Sequence, residues 1–237
     1  MDATTSISKV ASLICDPSRA AMLWSLLGGE SRPASELAML ANISPQTASN
    51  HLKLLLAADL VRVSVTGRNK FYRLAGAPIA AALESLAVVV QPHRSPQSLA
   101  HHAAPDLVFA RTCYDHLAGE LGVALLRSFT NRGHLIVRGQ NFELAPQGEK
   151  FLTTLEIDVV AVRAQRRRFA YACLDWSQRV PHLGGALAAA LLDWMFRTKL
   201  AARHRTGRAL RLTTTGEKRL DQLFGIRLAR NGKTLAA

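Results

Sequence analysis

The stretch Ser35-Glu-Leu-Ala-Met-Leu-Ala-Asn-Ile-Ser-Pro-Gln-Thr-Ala-Ser-Asn-His-Leu-Lys-Leu-Leu-Leu56 decides how this chain is read. Ser35–Leu40 reads as a short helix, and Ala41-Asn42 as the turn that ends it. Ser44-Pro45 then opens a second helix. The serine side chain can cap free N–H groups of the first turn, and proline at the first helical position gives up an N–H that has no partner there. That helix is expected to run to about Ala57. Leu52, Leu55 and Leu56 recur at helical spacing and must face a core, which leaves Gln46, Thr47, Asn50 and His51 pointing outward. A short helix that holds a second one at an angle, with polar side chains on the second helix's first turns, suits entry into a DNA major groove.

Upstream, Val10, Ile14, Met22, Leu23, Leu26 and Leu27 recur at helical spacings over residues 7–29, and Asp16-Pro17 breaks the run into two helices. Downstream, Leu60–Ser64 and Asn69–Leu74 alternate apolar and polar residues around Thr66-Gly67, the pattern of strand, turn, strand. Residues 78–90 predict one more apolar helix. The whole order is that of a winged helix-turn-helix, placed at residues 1–90, and double-stranded DNA is the partner it predicts. Gln46 and Asn50 can pair with adenine edges. Ser44 and Thr47, with the helix N–H groups, suit phosphate, Lys53 adds a backbone contact, and Ser49 belongs to the same DNA-binding set. His51 completes the outward set. In the hairpin Arg62, Arg68, Lys70 and Arg73 bracket the turn, with Arg68 and Lys70 at its tip for a phosphate or minor-groove contact.

These segments also carry a family resemblance. Ala11-Ser-Leu-Ile-Cys-Asp-Pro-Ser-Arg19, Ser35-Glu-Leu-Ala38, the helix from Ser44 to Leu56, Ala58-Asp-Leu-Val61 and Gly67-Arg-Asn-Lys-Phe-Tyr-Arg-Leu74 resemble the ArsR/SmtB family of bacterial regulators. The resemblance covers roughly residues 5–90. It implies a homodimer formed by the first helix and the helix after the wing, a palindromic operator, repression, and release or retention of DNA under an effector. Metal-sensing members place a Cys-x-Cys near the helix that precedes the reading helix; Pro33 and Ser35 stand there. Others use an acid and histidine cluster after the wing, where residues 78–90 offer only Glu84. Neither metal site carries over, so an effector must be sensed elsewhere, and the remaining chain is the obvious place.

Gln91–Ser98, with Pro92, Ser95, Pro96 and Ser98, reads as a linker. Beyond it, residues 106–130 predict one long helix, followed by two short strands near 134–144. The region 99–230 also contains an internal repeat, in units of about 106–156 and 172–225. His116-Leu-Ala-Gly-Glu-Leu-Gly-Val-Ala-Leu-Leu126 matches His182-Leu-Gly-Gly-Ala-Leu-Ala-Ala-Ala-Leu-Leu192, and Phe142-Glu-Leu-Ala-Pro-Gln-Gly-Glu-Lys150 matches Leu210-Arg-Leu-Thr-Thr-Thr-Gly-Glu-Lys218. Each copy is expected to run helix, hairpin or loop, short strand, helix. Cys113 and His116 would share one helix face, and Cys173 and His182 open the second copy. Three readings stay open for this set: a tetrahedral soft-metal site, a thiol redox pair, or plain core. Tyr114 and Asp115, echoed by Asp175 and Trp176, either line a small-molecule cleft or form a packing seam.

The fold class is thus mainly α with small β: a winged helix-turn-helix followed by an α+β domain of two repeats. The net charge is +13, but residues 1–90 carry only +2 and residues 91–237 carry +11. The basic surplus lies mostly outside the reading segment, in runs such as Arg163, Arg166, Arg167 and Arg168 that read as a solvated face. An architectural, non-specific DNA binder is therefore one alternative, and a metal- or redox-sensing regulator another. An enzyme is less favoured, because no phosphate loop, nucleophile elbow or paired-carboxylate motif occurs. No cofactor is expected. The opening Met1–Val10 has no signal-peptide pattern, no apolar run is long enough to span a membrane, and three cysteines make no disulfide framework. These features predict a cytoplasmic protein with an unidentified small-molecule or ion effector.

Overall fold

The computed structural model describes residues 3–89, 105–204, 207–228 and 234–235, and the expected linker at Gln91–Ser98 lies outside them. The chain divides into two units, Met1–Leu86 and Ala87–Ala237. The first opens with α1 (Ala3–Ile14) and α2 (Pro17–Ser25). Asp16 separates them because its carboxylate accepts the N–H of Arg19, capping α2, and Pro17 sits in the first turn. Helices α3 (Ala34–Leu40) and α4 (Pro45–Ala57) follow, with Ser44 capping the N–H of Thr47 at 3.1 Å. Strands β2 (Val61–Thr66) and β3 (Asn69–Leu74) pair antiparallel from Val61–Leu74 to Thr66–Asn69. Gly67 and Arg68 make the turn, and Gly67 takes the left-handed backbone (φ 61°) that the tight hairpin requires. Helix α5 (Ala77–Val89) closes the order.

One element escaped the sequence reading. Arg32-Pro33 forms a short strand, β1, against Phe71 and Tyr72, so the wing belongs to a three-stranded sheet. The core of the unit is Met22, Leu23, Leu26, Leu37, Ala48, Leu52, Leu55, Tyr72 and Leu74, all buried. Burying one such leucine contributes roughly 1.5–3 kcal/mol. Leu52 and Leu55 therefore fix the rotation of α4 and decide which of its side chains face outward.

The second unit differs from the expectation at one place. The run 106–130 is not one long helix. It is α6 (Pro105–Phe109), a hairpin of β4 (Arg111–Cys113) and β5 (His116–Ala118), then α7 (Glu120–Asn131). Two backbone positions end the helical reading. Tyr114 is left-handed (φ 59°) in the two-residue turn, and Gly119 has φ 84° and ψ −169° just before α7. A Cβ at Gly119 would lie 2.6 Å from the carbonyl oxygen of Val108, so only glycine fits. Helical periodicity could not reveal this, because an apolar hairpin strand and an apolar helix segment look alike over so few residues.

After α7 come β6 (Leu135–Arg138), β7 (Asn141–Leu144), α8 (Pro146–Thr154) and α9 (Val159–Arg163). The second copy runs β8 (Tyr171–Leu174), β9 (Pro181–Gly184), α10 (Ala186–Arg197), β10 (Ala201–Arg203), β11 (Leu210–Leu212) and α11 (Thr214–Phe224). Each repeat is thus hairpin, helix, hairpin, helix, rather than the helix-first order expected. Gly185 (φ 104°, ψ −172°) starts α10 as Gly119 starts α7.

The repeats are joined reciprocally. Phe142 N–H donates to Ala170 O (3.1 Å) and Ala172 N–H to Gln140 O (2.9 Å). In the same pattern Leu210 N–H donates to Ala110 O (2.8 Å) and Thr112 N–H to Arg208 O (2.9 Å). The second hairpin of each copy therefore pairs with the first hairpin of the other. A single apolar core, including Leu121, Leu125, Phe129, Leu187, Leu191, Trp194 and Phe224, runs through both.

Candidate functional site

The residues expected to face DNA sit on two elements of the first unit. On α4, Gln46, Thr47, Asn50 and Lys53 are exposed, while Ala48, Leu52 and Leu55 are buried beneath them. Ser44 is exposed but its hydroxyl is engaged with the N–H and hydroxyl of Thr47. Ser49 is half-buried. His51 is half-buried too: Arg19 lies 3.2 Å from its Nδ1, and Nε2 lies 3.8 Å from Asp16. His51 thus ties α4 to the start of α2 and is less free to meet a base than Gln46 or Asn50. Asp16 is held below the usual carboxylate range, chiefly by the Arg19 backbone N–H. On the wing Arg62, Arg68, Lys70 and Arg73 are all exposed, with Arg68 in the turn and Lys70 beside it. The arrangement offers amide side chains on the first turns of one helix and four cations on one hairpin.

In the second unit Cys113, His116, Cys173 and His182 come together, by a route unlike the one expected. Cys113 and His116 do not share a helix face; they are cross-strand partners in the β4–β5 hairpin. Cys173 and His182 are cross-strand partners in β8–β9. Each repeat therefore presents a Cys–His pair from the same place in its first hairpin. The four ligand-type atoms all lie within 4.8 Å of one another, and Nε2 of His116 is 3.2 Å from Nε2 of His182. His116 is 3% exposed and His182 1%.

Around them stands a polar shell. Asp175 Oδ1 accepts from Arg111 Nη2 (3.0 Å), the Ser177 N–H (2.9 Å) and hydroxyl (2.7 Å), and the Gln178 N–H (3.1 Å). Its Oδ2 accepts from the Gly119 N–H (2.7 Å) and lies 3.2 Å from His182 Nδ1. Asp115 lies 3.3 Å from His116 Nδ1 and pairs with Arg167. Burial opposes ionisation of Asp175, but His182, Arg111 and Ser177 hold its carboxyl far below the usual range. Burial likewise opposes charge on His182, and Asp175 with Cys113 outweighs it, raising the imidazole's pKa. The Cys113 thiol is pushed up to about 11, first by its hydrogen bond with Cys173 and then by burial.

The two aromatic residues, read as lining either a small-molecule cleft or a packing seam, differ in their surroundings. Tyr114 is 69% exposed in its turn, while Trp176 is buried with the Arg111 guanidinium 4.6 Å above its ring. Trp176 is packing under the Asp175 loop. The basic runs are largely fastened locally: Arg163 lies over Phe169, Arg168 over Tyr171, Arg203 over Phe196, and Arg197 pairs with Asp193. Arg111 is the structurally important residue that the sequence reading missed. An isolated arginine gives no signal until its partner across the fold is known.

Comparison with known proteins agrees with the first unit's architecture. Residues 14–64 match the helix-turn-helix domain family. The chain is 43% identical over 223 residues, 94% of its length and 98% of the other's, to the uncharacterized HTH-type transcriptional regulator YdfF of Bacillus subtilis (strain 168). It belongs to the HTH-type transcriptional regulators. Solved structures similar to its winged helix-turn-helix include HlyU from Vibrio cholerae, at 22% identity and a TM-score of 0.35 over 38% of this chain and 98% of that one. The transcriptional repressor BigR from Xylella fastidiosa matches at 21% identity and a TM-score of 0.35, over 38% of this chain and 91% of that one. The protein is a DNA-binding regulator, and its partner is DNA. Among the described residues no helix is long and apolar enough to cross a membrane.

Proposed function

We propose that the protein is a cytoplasmic, effector-responsive repressor that binds a palindromic operator as a homodimer. Residues 1–90 read the DNA, 91–98 link, and 99–230 carry the response. The observation that supports this best is the exposed amide face of α4, where Gln46 and Asn50 stand over a buried Leu52–Leu55 floor. Amides at such positions can make bidentate contacts to adenine, which a purely architectural binder does not need. The wing cations grip phosphate beside the groove. Dimerisation is supported by apolar side chains left open on the first helix and the helix after the wing: Ile7 and Val10 on α1, Leu86 and Val89 on α5. An effector acts by favouring one of two dimer geometries, which requires different affinities for them.

Selection from genomic fragments by the purified protein at about 150 mM salt, near physiological ionic strength, tests this reading. The expected result is enrichment of one inverted repeat, bound by two chains. Tight, salt-sensitive binding of all fragments alike would overturn specific readout and leave an architectural binder.

A further inference from the structure

His116 and His182 each turn one ring nitrogen to a carboxylate. Nδ1 of His116 is 3.3 Å from Asp115, and Nδ1 of His182 is 3.2 Å from Asp175. A carboxylate neighbour keeps the ring proton on Nδ1 and leaves Nε2 as a lone pair. The two Nε2 atoms then face each other across 3.2 Å between two buried rings. At that distance they can share one proton or, in its place, ligate one cation set between them. Cys113 and Cys173 supply two sulfurs at the same point, with all four ligand atoms within 4.8 Å. In a tetrahedral zinc site, with bonds of about 2.0 Å to nitrogen and about 2.3 Å to sulfur, the nitrogens lie about 3.3 Å apart and the sulfurs about 3.8 Å. Small side-chain movements bring the present set to that geometry.

We infer that Cys113, His116, Cys173 and His182 form a tetrahedral site for a soft divalent cation of the zinc class, half of it supplied by each repeat. The charges close. Two thiolates and two neutral imidazoles cancel a dication, while Asp175 and Asp115 are already balanced by Arg111 and Arg167. The carboxylates sit behind the imidazoles, where they orient ligands, rather than in front, where a hard cation such as Mg²⁺ would need them. Binding releases the two thiol protons to solvent. The four protein ligands fill the coordination sphere, so the ion fastens the two hairpins together and leaves no position for a substrate. The site does not depend on how α4 reads DNA.

The test is cobalt titration of the full-length, reduced and metal-stripped protein under anaerobic conditions. One Co²⁺ per chain should bind, with the absorption of a tetrahedral thiolate–imidazole complex, and Zn²⁺ should displace it. Cys113→Ser and Cys173→Ser should each weaken uptake at least 100-fold, and Cys15→Ser should leave it unchanged. No tetrahedral spectrum, or a spectrum retained in the Cys113→Ser/Cys173→Ser double variant, overturns the assignment. If the serine variants do not fold, alkylation of the native chain decides. Zn²⁺ should protect Cys113 and Cys173 while the exposed Cys15 still reacts. Equal labelling of all three thiols with and without Zn²⁺ also refutes the site, as does a Cys113–Cys173 disulfide that forms while Zn²⁺ is in excess.

Discussion

Replacing Asp175 by asparagine should be one of the most damaging single changes available in the second unit. The side chain is fully buried and receives five hydrogen bonds, one of them from Arg111, which is itself buried. Asparagine keeps the shape but loses the charge, and its NH₂ replaces one acceptor oxygen. Placed as Oδ2, the NH₂ meets the Gly119 N–H and the His182 ring; placed as Oδ1, it meets Arg111 and Ser177. Either way donors face donors, and a buried guanidinium keeps no counter-charge. Breaking a buried pair in this way costs about 3–5 kcal/mol. For a unit of this size that is a fall in melting temperature of roughly 6–20 °C. Thermal unfolding followed by tryptophan fluorescence measures it, since Trp176 lies directly under Arg111. The pH dependence has a fixed sign. The folded pKa of Asp175 is depressed, so its stabilisation is fully present above the unfolded value of about 3.9 and is lost as the pH falls through the folded value. Asp175→Asn should therefore differ most from the parent above about pH 4 and converge with it in stronger acid. A loss below about 1 kcal/mol at neutral pH would refute the account, because it would mean that Arg111 does not depend on this carboxylate.

Gln46→Ala and Asn50→Ala should each weaken operator binding by about 1–3 kcal/mol and relax preference at one base pair, measured by titration against operator variants. Unchanged affinity and preference in both would show that α4 is not the reader. Arg68→Ala should weaken binding to every sequence and lower the salt slope by about one, and loss at a single base step would contradict a phosphate role. Gly119→Ala should cost about 1–3 kcal/mol in unfolding experiments, because its Cβ meets the Val108 carbonyl and its φ is positive; a neutral effect would contradict the backbone described. His134 stacks on Phe151 and is held below its usual pKa by burial and then by Arg132. The unfolded chain therefore takes up that proton first, and stability should fall as pH drops below about 6.5. Melting temperatures of His134→Phe should lack this component, and identical pH profiles would exclude it.

The first unit was legible because its signals are local. Ser44 and Pro45 begin a helix by their own chemistry, and Gly67 makes a turn whatever surrounds it. The short strand Arg32-Pro33 was not legible, because two residues carry no period and the partner lies 40 residues away. In the second unit the repeat was visible as matched blocks, yet its first hairpin was hidden within an apolar run. The residues of the cluster were identifiable by type, but their geometry was not. Cys113 and His116 are close under either a helical or a hairpin reading, so spacing alone could not choose between them. What brings the two pairs together is the pairing between repeats, which no local pattern encodes.

That exchange of strands has a consequence for how such a unit can be built. Each copy lends its second hairpin to the other and borrows an edge in return, so neither copy is a finished object. A chain stopped after Arg163 would carry the first hairpin and the Asn141–Leu144 strand with no complement for either. The missing surface is nearly the same as the one the fragment itself displays. Two such fragments can therefore complete one another, and the natural starting point for this architecture is a self-associating half that was later copied and joined end to end. The bond between the halves then turned an encounter that depends on concentration into one that does not, and each half became free to drift. The pair Arg111–Asp175 has its counterpart in Arg167–Asp115, each set behind one histidine of the cluster, but the first is buried and the second partly exposed, so the two halves are no longer alike.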